Sequence, residues 1–549
     1  MKRASIALVL LVLLTCCLLA AGCGNSQEAT TTTAAPASST TTAAAPVTTA
    51  PPTTAATPST AATTTTAAAV TPKTGGTLRV ILGPDLQNAG GLPWELWGPQ
   101  MMAGQFMLES LFVGSLTGEF EPGLAKDYKL ADDQLSVTIT LNQGIKFHDG
   151  SDFNADAVKW NLEQYMKAGQ APAFKAVTVV DPYTVKIDFN YWANTNLVGL
   201  RDGLWMVSEA NYVKNGEEYA RNNPCGTGPF MFKSFENAVK MEMVKNPNYW
   251  QTGKPYLDGV EILFVADDNT KAAMLQAGEA DVIGSQGLNK QAKDLKDAGF
   301  VIETYLPDVW AIQPDAGNAD SPYKDQKVRE AVEYAIDRSS LADAFGYGFW
   351  TTVNQIPGPD ASIYNQNPPL VRDYDPAKAK QLLTEAGYPN GFKTTLLMLQ
   401  FASKDQVVAV QAMLKEVGID AALVIPEGPV KFNEATNTTH NILAWSPVDA
   451  LSGSWNQGFW YSFMFDGSGN KNWLRSKEWV DLFNKSMASP KEDPALAQAV
   501  SDQWTKEASV IPVTRAGNGW AHATYVMDAG WFSRSFSPWI RPWNIWLNK

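Results

Sequence analysis

Three consecutive stretches constrain the fold most: "TTLLMLQ" (Thr394–Gln400), "DQVVAVQAMLKEVG" (Asp405–Gly418) and "IDAALVI" (Ile419–Ile425) read as strand, helix and strand. Two strands joined through a helix cannot be a hairpin; they lie parallel, with the helix as the crossover. Elsewhere the signal is the period-two alternation of half-buried strands. In "QLSVTITL", Leu135, Val137, Ile139 and Leu141 share one face, and "YTVKIDF" repeats this with Tyr183, Val185, Ile187 and Phe189. Between them "NADAVKWNLEQYM" reads as a helix, with Asn154 as N-cap and Val158, Leu162 and Tyr165 on one face. "VEILFVA" is a strand, and "TKAAMLQAG" a short helix preceded by Thr270 and stopped at Gly278. "KVREAVEYAI" sets Val328, Val332 and Ala335 at helical spacing. "DPAKAKQLLTEAGYP" is a punctuated helix, with Asp375 as cap, Pro376 in the first turn, Leu382, Leu383 and Ala386 buried, and Gly387 and Pro389 beyond its end. The class is α/β with long antiparallel insertions.

The N-terminal region has a different character. Lys2 and Arg3 precede an apolar run from Ile6 to Ala21, broken at Thr15, and small residues lead to Cys23. The run is short for a membrane span and fits a secretory signal. Cys23 after Ala20, Ala21 and Gly22 resembles the lipid-bearing cysteine of bacterial lipoproteins, although Ala20 stands where that motif usually has a leucine. Residues 1–22 are then a signal peptide, and 23–74 a tether of Thr, Ala and Pro too poor in apolar surface to offset its ordering entropy. As a coil, residues 28–72 span roughly 35–40 Å. Of four cysteines, Cys16 and Cys17 lie in the signal and Cys23 is the anchor, so Cys225 has no partner for a disulfide.

The net charge of −13 disfavours nucleic acid and anionic lipid as partners. Catalytic and metal signals are missing from the pattern. The three histidines, His148, His440 and His522, are far apart, and no zinc-, calcium- or phosphate-binding motif appears. "CGTGPF" holds a G-x-G that reads as a turn, and Cys225 as a buried thiol without a base. No enzyme activity, metal or cofactor is expected.

An ordered series of segments carries a resemblance. "FEPGLAKDYKLADDQLSVTITLNQGIKFHDGSDFNADAVKWNLE", "VVDPYTVKI", "NPCGTGPFMFKSF", "KNPNYWQTGKPYLDGVEI", "MLQAGEADVI", "KVREAVEYAIDR" and "YDPAKAKQLLTEAGYPNGF" together resemble family 5 extracellular solute-binding proteins, the peptide/nickel class serving bacterial ABC importers. The resemblance implies a two-lobed periplasmic-binding-protein-like clamp. Lobe one is expected over 75–307, with 108–200 as an extra subdomain and 505–549 returning to it; lobe two is expected over 308–504. It implies a monomer held outside the cytoplasmic membrane by its lipid, with a small solute and ABC permease subunits as partners.

Peptide-binding members use a tryptophan and a following acid in lobe two. In "NILAWSPVDALSGSWNQGFWYSF" these are Trp445 and Asp449, and the arginine found before the tryptophan in some members is replaced by Ile442, Leu443 and Ala444. Trp455, Trp460 and Tyr461 crowd the same segment. Trp94 and Trp97 follow the first strand, where cleft loops are expected, and Trp310 stands near the crossover. The ligand-binding candidates are Trp445, Asp449, Trp455, Trp310, Trp94 and Trp97. A short peptide is the leading ligand. An oligosaccharide, a nickel chelate or a sensory role without a permease stay open.

Overall fold

The computed structural model describes residues 71–549 apart from 84–85, 87, 97–98, 115–119, 305–307, 360, 362, 401, 450–471, 492, 529–531 and 535–536. Two mixed sheets organise it. The first runs, in spatial order, Val301–Thr304, Asn518–His522, Val282–Gly287, Thr77–Leu82, Gly259–Phe264, Lys240–Lys245 and Phe230–Glu236. Thr77–Leu82 lies parallel to both Gly259–Phe264 and Val282–Gly287. It is covered on both faces: Leu78, Val80 and Leu82 enter one core and Ile81 another. Burial on both sides is why "TLRVIL" is nearly continuous in apolar residues rather than alternating.

The helix that follows Gly259–Phe264 is Asp268–Gln276 and not a helix beginning after Thr270. Asp267 is the N-cap; its carboxylate accepts the Thr270 N–H at 2.8 Å, which draws Thr270 into the first turn. Gly278 ends it at φ +72°, a left-handed position that glycine takes without a Cβ penalty.

The second sheet runs Thr351–Thr352, Ile511–Ala516, Asp308–Pro314, Ile442–Asp449, Phe392–Met398 and Ile419–Val424. The strand–helix–strand unit appears as Phe392–Met398, helix Lys404–Glu416 and Ile419–Val424, with the strands parallel. The punctuated helix is Pro376–Glu385, capped by Asp375, with Leu382 and Leu383 buried.

A four-stranded antiparallel sheet, Ala125–Leu130, Ser136–Leu141, Thr184–Phe189 and Phe174–Asp181, forms a subdomain with helix Ala155–Lys167. Asn154 caps that helix through the Ala157 N–H, and Val158, Leu162 and Tyr165 meet Val137, Ile139, Val185 and Ile187 in one core. Leu135 departs from its expected face and is 46% exposed. Gln134 before it is left-handed at φ 61°, and the turn places Leu135 outside the strand.

Among the described elements the chain changes from one large sheet to the other twice, between Thr304 and Asp308 and from Ala516 through Gly517 to Asn518. The expected return at residue 505 is therefore corrected. That position falls inside helix Pro494–Glu507, and the next strand, Ile511–Ala516, pairs antiparallel with Asp308–Pro314 in the second sheet. The helix adds Val500 and Trp504 to the core of that lobe, so apolar burial holds the segment there until Gly517.

The C-terminal strand and tail are tied into lobe one by Asp281, which is 0% exposed. Its carboxylate accepts from the Arg79 guanidinium at 2.8 and 3.1 Å, from Tyr525 at 2.7 Å and from Lys549 at 3.1 Å. Burial alone raises this carboxyl, and the donors outweigh it, holding the group below its ordinary range.

Candidate ligand-binding cleft

Strand direction places the cleft. In lobe one, Thr77–Leu82, Gly259–Phe264 and Val282–Gly287 are parallel, and their C-terminal ends lie at the edge where Thr304 leaves and Asn518 enters. In lobe two, Phe392–Met398, Ile419–Val424 and Ile442–Asp449 are parallel to one another and antiparallel to Asp308–Pro314. Their C-terminal ends therefore share the edge at which Asp308 enters and Ala516 leaves. Both lobes turn the carboxyl ends of their parallel strands toward the crossings, the position where open α/β sheets receive ligands.

At that edge of lobe two, Trp310 and Trp445 stack, ring centroids 6.0 Å apart and planes 17° from parallel. They come from neighbouring antiparallel strands, with Trp310 opposite Pro447 and Trp445 opposite Ile312. Trp445 is wholly buried and Trp310 only partly. The Trp445 indole N–H has no hydrogen-bond partner among the described residues. Trp445 is thus the floor and Trp310 the more accessible ring above it. Asp449 ends its strand directly opposite Asp308 in the backbone register. Asp308 was not singled out from sequence, because only strand pairing brings residues so distant along the chain side by side. Arg515, also missed, stands opposite Val309 on the neighbouring strand, and a Cβ at Gly358 would meet its guanidinium within 2.7 Å.

Trp94 is placed elsewhere. It sits edge-on to Trp160 at 5.8 Å, Tyr165 at 5.9 Å and Tyr212 at 6.4 Å, at the joint between the first sheet and the four-stranded subdomain. Its carbonyl accepts from Gln170, and the adjacent Glu95 pairs with Arg221 at 2.8 and 2.9 Å. Trp97, Trp455, Trp460 and Tyr461 lie outside the described residues, as does Cys23. Trp310, Trp445 and Asp449 therefore share one strand pair, and Trp94 belongs to another part of the molecule.

The same joint holds Glu109. Its carboxylate accepts from Tyr249 at 2.7 Å, Thr227 at 2.8 Å and Trp250 at 3.0 Å. Burial pushes its pKa up to about 7, against the pull of those three donors. The "CGTGP" turn lies here too: a Cβ at Gly226 would come within 2.2 Å of the Met107 carbonyl, so the close approach of two backbones requires glycine.

Among the described residues, the histidines and Cys225 lie in separate parts of the fold. His148 lies 3.0 Å from the Gly228 carbonyl through Nε2, and burial lowers its pKa to about 4. His440 is exposed beside Asp320 at 3.5 Å, and His522 is buried in a strand of lobe one. Burial pushes the Cys225 thiol up to about 12, far from a thiolate nucleophile. Among the described residues no three metal-ligating side chains come together. A cavity of about 430 Å³ in lobe two, lined by Asp337, Arg338, Gln355, Tyr364 and Asp373, contains none of the expected ligand residues.

Two α/β lobes joined by two crossings, with strand C-termini facing the junction, define a clamp-type binding protein. Residues 119–473 match the model of bacterial extracellular solute-binding proteins, family 5, middle region, and the chain belongs to that family. The glutathione-binding protein GsiB of Salmonella typhi is 36% identical over 311 residues, 55% of this chain and 60% of that protein. The match thus spans about 60% of that curated relative. Among solved structures, the periplasmic binding protein DppA of Helicobacter pylori in complex with peptide STSA has a TM-score of 0.71 at 23% identity, covering 87% of this chain and 99% of that one. The dipeptide binding protein of Pseudoalteromonas sp. SM9913 in complex with Met-Leu has a TM-score of 0.69 at 20% identity, covering 86% and 100%. These two similarities establish the fold. Among the described residues no helix is long and apolar enough to cross a membrane.

Proposed function

We infer that this chain is the solute receptor of an ABC importer, closing its lobes on a short peptide outside the cytoplasmic membrane and handing it to the permease. The family match carried on the clamp fold is the observation behind this reading. The peptide assignment is supported by the relative named for glutathione, a tripeptide. Asp449, the acid that the resemblance assigns to a free amine, ends its strand at this edge, in backbone register with Asp308. The Trp310–Trp445 pair offers an apolar platform beside them. An oligosaccharide would instead use mainly the aromatic faces. Capture and closure are the whole mechanism; no covalent step is involved.

Calorimetry with reduced glutathione, a di- and tripeptide mixture and maltotriose tests the assignment. A peptide or glutathione is expected to bind one to one. Asp449→Asn is expected to weaken it by tenfold or more, since a desolvated ammonium loses its charged partner. Sugar binding alone, or peptide affinity indifferent to Asp449→Asn, refutes the amine site. Cys23 is the proposed acyl site and residues 23–74 the leash that keeps the receptor near its permease. Metabolic labelling with palmitate should mark the wild-type chain and not Cys23→Ala.

A further inference from the structure

The lobes touch at two places among the described residues, and the two contacts differ in kind. Beside the crossings, Phe349 of lobe two joins Leu288 and Ala292 of lobe one in a small apolar cluster flanked by Ile302 and Trp350. The Lys296 ammonium lies 5.5 Å from the Phe349 ring. Apolar surface makes most of this contact.

The second contact is polar and comes from the four-stranded subdomain. After the strand Thr184–Phe189, the Trp192 indole N–H donates to the Ser489 carbonyl at 3.2 Å, and the Asn194 amide donates to the Ser486 carbonyl at 2.9 Å. Both acceptors lie at the C-terminal end of helix Lys477–Met487 in lobe two. The Ser486 carbonyl also accepts the Ser489 N–H at 3.4 Å, but a carbonyl has two lone pairs, and this end of the helix carries partial negative charge, so two further N–H donors are well matched to it. The donors are held ready: Trp192 packs on Phe189 at 5.8 Å, and Asn196 donates to the Tyr191 carbonyl at 2.8 Å. Ser486 is 0% exposed. Two further polar atoms in the contact, Asn194 Oδ1 and Ser486 Oγ, are buried with no hydrogen-bond partner among the described residues. Closing therefore makes two hydrogen bonds and strips water from the Asn194 carbonyl oxygen, which gains none. Opening does the reverse. Gains and losses of that kind nearly cancel, which makes the contact reversible, in contrast to the apolar contact at the crossings.

We propose that residues 190–196 form a latch that closes the clamp by capping the C-terminus of helix Lys477–Met487, with Phe349 on Leu288 and Ala292 as the pivot. The latch sets the closed fraction of the solute-free protein. The subdomain is thereby a gripping arm, and the weak net bias of the latch leaves the balance to be tipped by solute in the cleft.

The test is hydrogen exchange by mass spectrometry on the solute-free full chain, with small-angle scattering alongside. Asn194→Ala, Asn194→Asp and Trp192→Phe are compared with wild type; Trp192→Phe keeps a ring against Phe189 and removes the donor. Exchange in residues 484–490 and 190–196 is expected to rise about fivefold for each hydrogen bond lost, with a larger radius of gyration and no change in 286–296. Asn194→Asp should open the clamp more than Asn194→Ala, because a carboxylate would face carbonyls at the negative end of a helix. An arm that merely stabilised the subdomain would respond in the opposite order, the isosteric Asp being the milder change. Equal exchange and equal radius in wild type and all three variants overturn the latch. A second arm uses reduced glutathione as the probe, where the variants should release it faster. Failure of glutathione to bind at all counts against the peptide assignment and leaves the solute-free result to decide the latch.

Discussion

Glu109 gives this protein a stability that depends on pH in an unusual direction. Its carboxyl stands at about 7 in the fold against 4.5 unperturbed, because burial penalises the charged form more than Tyr249, Thr227 and Trp250 stabilise it. A raised carboxyl pKa means the folded chain holds its proton more tightly than the unfolded chain does. The contribution is therefore full below pH 4.5 and is lost as pH rises through 7. At 1.36 kcal/mol per pH unit, a rise from 4.5 to about 7 corresponds to about 3 kcal/mol. The residue as a whole keeps some exposure, which makes this an upper figure. Glu109→Gln keeps the shape and removes the titration. Urea denaturation of both proteins at a series of pH values from 4.5 to 8 isolates the effect, because every other group cancels in the difference. The stability of the variant relative to wild type should rise by up to about 3 kcal/mol across that window. A difference constant to within about 0.5 kcal/mol over the window would show that the carboxyl is not desolvated, and the reasoning would fail.

His148 acts in the opposite sense. Burial depresses it to about 4, so its contribution is present above pH 6.5 and is lost as pH falls through 4; relative to His148→Gln, the wild type should lose up to about 3 kcal/mol on acidification, read by the same denaturation series extended below pH 4. Trp445→Ala removes a fully buried ring from the core of lobe two and should cost about 3–5 kcal/mol, seen as a lower urea midpoint with or without ligand. An unchanged midpoint would mean that Trp445 is not a floor residue. Asp281→Asn removes the negative charge and one of the two acceptor oxygens that Arg79, Tyr525 and Lys549 share, and sets an NH2 donor against their N–H and O–H groups. It should cost about 2–4 kcal/mol and speed carboxypeptidase attack on the tail, and a tail equally resistant in both proteins would refute the tie.

A clamp of this design separates its tasks by position. Strand C-termini meet at the candidate cleft, Phe349 packs on Leu288 and Ala292 beside the crossings, and the subdomain reaches lobe two at the end of helix Lys477–Met487. Trp310 is partly exposed and its stacking partner Trp445 is buried, so on the proposed reading the first would touch solute and the second support it. For that reason substitutions at Trp310 should alter affinity with little change in the urea midpoint, while those at Trp445 should alter both.

What the sequence determined by itself is local. Asn154 and Asp375 cap helices because a side-chain oxygen beside a free N–H acts within three residues. Val137, Ile139 and Leu141 face the core because strand geometry has period two. The parallel pairing of Phe392–Met398 with Ile419–Val424 follows from the helix between them. The ordered motifs likewise carry the family in the sequence itself, since they encode turns, caps and close backbone approaches such as Gly226 on Met107. Tertiary structure decided whatever depends on partners far apart in the chain. It set Trp94 against Trp160 and Tyr212, laid Trp310 over Trp445, and paired Asp308 with Asp449. It moved the return between lobes from residue 505 to Gly517, because Ile511–Ala516 found its hydrogen bonds beside Asp308–Pro314. The same alternating or aromatic residues fit many neighbours equally well. Only the closed set of strand pairings and buried surfaces selects one, and that selection is a property of the whole fold.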